Sequence, residues 1–393
     1  VRVIDDPELT RGNGDEAQLR VTGAIRAGSS WQELEHLWAE ATEQQQEVEK
    51  TIVELTAELE SLPGAPDAAR DLAAELSGHL DYWRDVRRRM HVCVHQPGTG
   101  AVHWISGGGR FRSAWLNAAP IEVATLLRDR LFALPEASIL VSATLAIGGS
   151  FDYVKRRLGL DDARAEALGS PFDYQRAALL YVPNDLPDPN QPGYQSVMER
   201  SILDVVTRLN GRTLVLFTSR AQLRASYQAL RDPLAAKHIT LLAQGIDESS
   251  RTRLLESFRR GSRVVLFGTN AFWEGIDVVG EALSCVMVTR LPFAVPSDPI
   301  YAARAEQFDD PFGQYAVPQA VLRLKQGFGR LIRSRADRGS VVVLDRRLVT
   351  RSYGQVFLRS LPDCSVKQGP STRTGVEVQQ WLTPAPAALQ LTL

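Results

Sequence analysis

Seven short runs rich in valine, leucine and isoleucine recur beyond residue 121, at 138–141, 178–182, 213–217, 239–242, 263–267, 284–288 and 340–344. They do not alternate apolar with polar residues, and segments of helical period separate many of them. A strand that is apolar on both sides must be covered on both faces, and strands alternating with helices build parallel sheets. The fold class expected is therefore α/β, a parallel sheet with helices on both faces. A further helix is expected over 121–132.

The first quarter of the chain has a different period. Leu34, Leu37, Trp38, Ala41, Val48, Ile52, Leu55, Leu59 and Leu62 share one helical stripe. Pro63-Gly64-Ala65-Pro66 interrupts it, and Asp67 can cap a second helix carrying Leu72, Leu76, Leu80, Trp83 and Met90. An antiparallel helical hairpin follows. Residues 1–30 read as a lead-in with little core. The runs 91–95 and 101–105 flank Pro97-Gly98-Thr99-Gly100 as a β-hairpin, and Gly107-Gly108-Gly109 reads as a flexible junction. Two domains are expected: 1–110, lead-in and helices with the small hairpin, and 111–393, the parallel sheet, within which 111–150 carries the joining strand. The segment after about Pro370 has little periodicity.

Bulk composition excludes several classes. The chain has 393 residues, 44% of them hydrophobic, and a net charge of -1. That is ordinary globular protein with room for two or three cores. Cys93, Cys285 and Cys364 are far apart and form no C-x-x-C pair; no disulfide framework or metal site is indicated, and a reducing cytoplasm is the expected location. No signal peptide and no membrane-spanning apolar run is evident. Val1 in place of methionine points to a fragment or an unusual start. Charge is uneven: 323–351 is basic, 33–60 acidic apart from Lys50, and Arg84, Arg87, Arg88 and Arg89 cluster near the end of the second helix. Those four arginines read either as a solvated face or as a nucleic-acid contact.

Ligands gather at the carboxyl ends of parallel strands. Three runs end in hydroxyls: Ser142-Ala143-Thr144-Leu145, Thr218-Ser219 and Thr269-Asn270. Such groups suit a nucleic-acid backbone, although Ser and Thr also cap helices. In Gly268-Thr269-Asn270-Ala271-Phe272-Trp273-Glu274-Gly275-Ile276-Asp277 a glycine loop carries two carboxylates, able to meet a ribose hydroxyl or a metal-bound water, or simply to be solvated. Gln326-Gly327-Phe328-Gly329-Arg330-Leu331-Ile332-Arg333 sets a glutamine and two arginines at helical spacing, a pattern suited to charge developing on a transferring phosphoryl group.

In order, Ser142-Ala143-Thr144-Leu145, Ser170-Pro171-Phe172-Asp173-Tyr174, Leu216-Phe217-Thr218-Ser219, the glycine loop and 326–333 resemble the later motifs of the DinG and XPD group of superfamily-two DNA helicases, in their C-terminal portion. The resemblance covers roughly 115–347. It implies two RecA-like lobes closing on ATP and magnesium, single-stranded or forked DNA crossing both, 5′ to 3′ unwinding, and a place in DNA repair. Arg330 and Arg333 would then be trans-acting arginines, Gln326 a γ-phosphate or water contact, and Glu274, Gly275, Asp277 and Gly329 part of the nucleotide side. Ser142, Thr144, Thr218, Ser219, Thr269 and Asn270 would line the DNA path. A helical arch precedes the Ser142 strand in that family, in agreement with the helical hairpin.

The departures are as specific. No G-x-x-x-x-G-K-[ST] loop occurs in the chain, so the cradle for the β- and γ-phosphates is lacking. Asp15-Glu16-Ala17-Gln18 imitates a magnesium-binding D-E-A-H but follows Gly12-Asn13-Gly14 and not an apolar strand. The four cysteines of an iron-sulfur cluster are missing too. The expectation is an arch and second lobe whose first lobe is absent, without iron-sulfur cluster or other metal, unable to hydrolyse ATP alone. The alternative is a non-enzymatic RecA-like module that binds nucleic acid or a partner.

Overall fold

The computed structural model describes residues 16–63, 66–95, 98, 100–108, 113–248, 250–269, 272–273, 283–329, 331–332, 334–335 and 337–383. Two compact units emerge: 1–122 with 296–304, and 123–295 with 305–393.

In the first unit the helices Ser29–Ser61 and Asp67–His95 form the hairpin expected from their stripes, with Trp31, Ala73, Leu80 and Val94 buried. Strands β1 (Glu16–Arg20), β2 (Ala101–Gly108) and β3 (Ser113–Pro120) make an antiparallel sheet in the order β1-β2-β3. Two expectations are corrected. Residues 91–95 end the second helix instead of opening a strand; the helical stripe runs on until the chain nears Pro97, where continuation is sterically disfavoured. The hairpin is β2 with β3, so Gly107 and Gly108 belong to a strand. The lead-in contributes β1, paired through Arg20 with Trp104.

The second unit is built on a seven-stranded sheet of β4 (Ala178–Pro183), β5 (Thr213–Leu216), β6 (Thr240–Ala243), β7 (Val264–Gly268), β8 (Cys285–Val288), β9 (Gly339–Val343) and β10 (Ser365–Gly369). Its order is β10-β4-β9-β8-β5-β7-β6, and every pairing is parallel. Six of the seven apolar runs are these strands. One core layer holds Leu180, Leu214, Leu216, Trp273, Val286 and Leu324; the other holds Tyr181, Tyr194, Val215, Phe217, Phe267 and Val342. Burying each such side chain contributes roughly 1.5–3 kcal/mol before conformational entropy is subtracted.

The run 138–141 forms no strand: Ile139 and Val141 are 88% and 89% exposed. No neighbouring chain segment offers it backbone hydrogen bonds among the described residues, and a strand exists only by pairing. Helix over 121–132 is present as Ala124–Leu127 continuing into a wider turn at Arg128–Phe132. Two elements lacked a sequence signal: the edge strand β10 and the helix Thr374–Leu382, which buries Val378.

Candidate nucleotide and nucleic-acid site

Because all seven strands run the same way, the ends of β5, β7, β8 and β9 meet one edge. Thr269, just past β7, is buried, and both its amide and its hydroxyl donate to Gln244 Oε1 at 2.9 Å. Its carbonyl accepts from Phe272 N at 2.7 Å. Toward any further ligand this hydroxyl can therefore offer only lone pairs. Ser219 caps the helix Arg220–Ala235, accepting from Gln222 N at 3.4 Å, while Thr218 is partly buried beside it.

Ser142 and Thr144 lie on a loop and not at a strand end. Their hydroxyls are 3.1 Å apart, and Thr144 N donates to Ser142 Oγ at 3.2 Å. A cleft of about 780 Å3 lies beside them, lined by Ile139, Val141, Phe151, Lys155, Arg164 and Lys325 among others.

Within the glycine loop, Trp273 meets the helix Val317–Phe328. Gly268 must be glycine because a Cβ there would lie 2.6 Å from the Phe272 ring. Phe272 and Trp273 are buried, and Trp273 packs on the helix: a Cβ on Gly327 would lie 3.1 Å from the indole and 3.5 Å from Leu216. Among the described residues, Trp273 Nε1 and Gln326 Oε1 are buried polar atoms without a hydrogen-bond partner. Unpaired buried polar groups are costly. Gly329 closes the helix, its N–H donating to Lys325 O at 2.9 Å. Asn270, Glu274, Gly275, Asp277, Arg330 and Arg333 lie outside the described residues.

Sequence reasoning missed three groups here. Lys325 precedes Gln326, is half-buried and donates from Nζ to Ala146 O at 2.7 Å; burial holds its ammonium below the usual lysine range. Asp345 follows β9 and is fully buried; it accepts from Leu291 N at 2.9 Å and from Arg347 Nε and a terminal guanidinium nitrogen at 2.9 and 2.6 Å. The hydroxyl of Tyr194 sits between the carbonyls of Thr289 and Leu344, tying β8 to β9. An acid directly after a buried strand was the available signal for Asp345.

The arginines of the helical hairpin are neutralised locally. Arg84 and Arg87 both bond Glu49 at 2.6 Å, and Arg88 and Arg89 both pair with Asp85. The hydrogen bond from Arg84 pulls the Glu49 carboxyl below the ordinary range. That pattern suits the solvated face. Among the described residues no group of three or more His, Cys, Asp or Glu is placed to hold a metal, and no helix is long and apolar enough to cross a membrane.

A family model described as "Helicase C-terminal domain" matches residues 202–364. The chain is 35% identical over 369 residues to "ATP-dependent DNA helicase YoaA" of Haemophilus influenzae, covering 93% of this chain and 54% of that protein. It is 38% identical over 273 residues to "3'-5' exonuclease DinG" of Bacillus subtilis, covering 67% of this chain and 29% of that one. A solved structure titled "XPD_Helicase" superposes with a TM-score of 0.50 at 15% identity, over 79% of this chain and 55% of that one. The chain thus spans about half the length, or less, of these relatives. It is similar to the C-terminal portion of DinG/XPD-type superfamily-two helicases, and its parallel sheet is RecA-like.

Proposed function

We propose that this chain supplies the arch-like region and the second motor lobe of an ATP-dependent DNA helicase moving 5′ to 3′ on single-stranded or forked DNA. The observation that supports the reading best is the packing of Trp273 on Gly327, which joins the described part of the glycine loop to the Gln326 helix. Gln326 would contact the attacking water, whose O–H donates to its amide oxygen, or the γ-phosphate, whose oxygens accept from its amide N–H. Arg330 and Arg333, on the residues that follow, would stabilise charge on the transferring phosphoryl group, a contribution of about three to five powers of ten in rate. Glu274, Gly275, Asp277 and Gly329 would complete this nucleotide side. Magnesium, which neutralises phosphate charge when bound, would be held by the first lobe, because no phosphate loop is found in this chain.

Ser142, Thr144, Thr218, Ser219, Thr269 and Asn270 would line the DNA path. The alternative is a RecA-like module that binds nucleic acid or a partner without catalysis; on either reading Ser219, engaged as a helix cap, and Thr269, whose donors are held by Gln244, would meet a strand only as acceptors or after rearrangement. The two separate by experiment. Mixing this chain with the N-terminal lobe of a related helicase restores single-strand-stimulated ATP hydrolysis on the motor reading, and Arg330→Ala abolishes it. Binding to single strands without any restored hydrolysis selects the module.

A further inference from the structure

We propose that Lys325 is a positioning residue: its ammonium struts the 142–147 turn, which bears Ser142 and Thr144, against the helix that bears Gln326. The inference rests on the proposed function for what the two ends do, but not for the strut itself. Lys325 Nζ donates to the carbonyl of Ala146 at 2.7 Å, across 179 residues of chain. Its side chain is half-buried and forms no ion pair with a carboxylate among the described residues. Burying a cation against a neutral carbonyl is unfavourable packing by itself. It makes sense where the position of the carbonyl matters, because a charged donor gives a stronger and more directional bond than a neutral one.

The turn has a second, independent anchor. Gly148 N donates to Ser360 Oγ at 2.7 Å, and that hydroxyl donates to Val356 O at 2.6 Å within the helix Gly354–Ser360. Between the anchors Ile147 N donates to Ser150 O at 2.8 Å, and upstream Thr144 N donates to Ser142 Oγ at 3.2 Å. A shift at the end of the Gln326 helix would therefore pass through Lys325 to the Ser142–Thr144 hydroxyls, while Ser360 holds the far side of the turn still.

Hydrogen exchange of the full chain, read at single amides, tests this. Lys325→Met keeps the apolar stem and removes the donor. Exchange at Thr144 and Ile147 should rise about tenfold or more, while Gly148 stays within about threefold of wild type. Lys325→Arg should restore protection at Thr144 and Ile147, and Ser360→Ala should give the mirror pattern, with Gly148 released. Unchanged exchange at Thr144 and Ile147 in Lys325→Met overturns the strut, as does an equal rise across the whole second unit. A single-stranded oligothymidylate provides the separate arm: its failure to bind wild type counts against the helicase reading and leaves the exchange result standing.

Discussion

Two four-residue runs of nearly the same chemistry end in opposite states. Thr213-Leu214-Val215-Leu216 is β5, fully buried and paired on both sides with β7 and β8. Ser138-Ile139-Leu140-Val141 forms no strand, and its Ile139 and Val141 are almost wholly exposed. Propensity makes either run able to be a strand, but only neighbours make it one. The difference teaches that composition permits a strand and pairing makes one: β5 has β7 and β8 on either side, whereas 138–141 has the composition of a buried strand and no strand partner among the described residues.

Substitutions at the two runs should diverge most. Leu214→Asp puts a carboxylate into the core and should prevent the second unit from folding, whereas Val141→Asp should leave chemical unfolding within about 0.5 kcal/mol of wild type. Equal damage at both sites would break the contrast. Gly327→Leu should cost about 1–3 kcal/mol, because even a Cβ there would lie 3.1 Å from the Trp273 indole; a neutral effect in urea unfolding would mean that the helix gives way at this contact. Ser219→Ala should cost about 1 kcal/mol through loss of the helix cap. A far larger loss of DNA affinity than of stability would show that its hydroxyl also touches nucleic acid.

The smallest expected effect concerns another group without a partner. His103 is buried on β2 with Nε2 unpaired, and burial, aided by Arg26, lowers its pKa. The fold therefore favours the neutral ring. Its contribution is intact above the unfolded value near pH 6.5 and is lost as pH falls toward the folded value. Wild type should lose stability relative to His103→Gln between pH 7.5 and pH 5 in urea unfolding; a constant difference would contradict this.

What was legible in the sequence follows the same line. Six strand runs could be read because each is apolar on both faces, and the helical hairpin because its stripes are long. Run 138–141 carried the same signal without the partners that complete it. The edge strand β10, Ser365-Val366-Lys367-Gln368-Gly369, is partly exposed and has no apolar run to find. At residues 91–95 a short stretch of mixed period could not be separated from strand by pattern alone. Spacing was enough to single out Gln326 and the glycine loop. It could not reveal that Trp273 lies on Gly327, or that Lys325 reaches Ala146, since both contacts join segments distant in sequence.

The most direct test measures ATP hydrolysis with and without single-stranded DNA, first by this chain alone and then after adding the N-terminal lobe of a related helicase. The account predicts no helicase-like turnover from the chain alone and strand-dependent turnover from the mixture. Helicase-like hydrolysis by the unaided chain would contradict it.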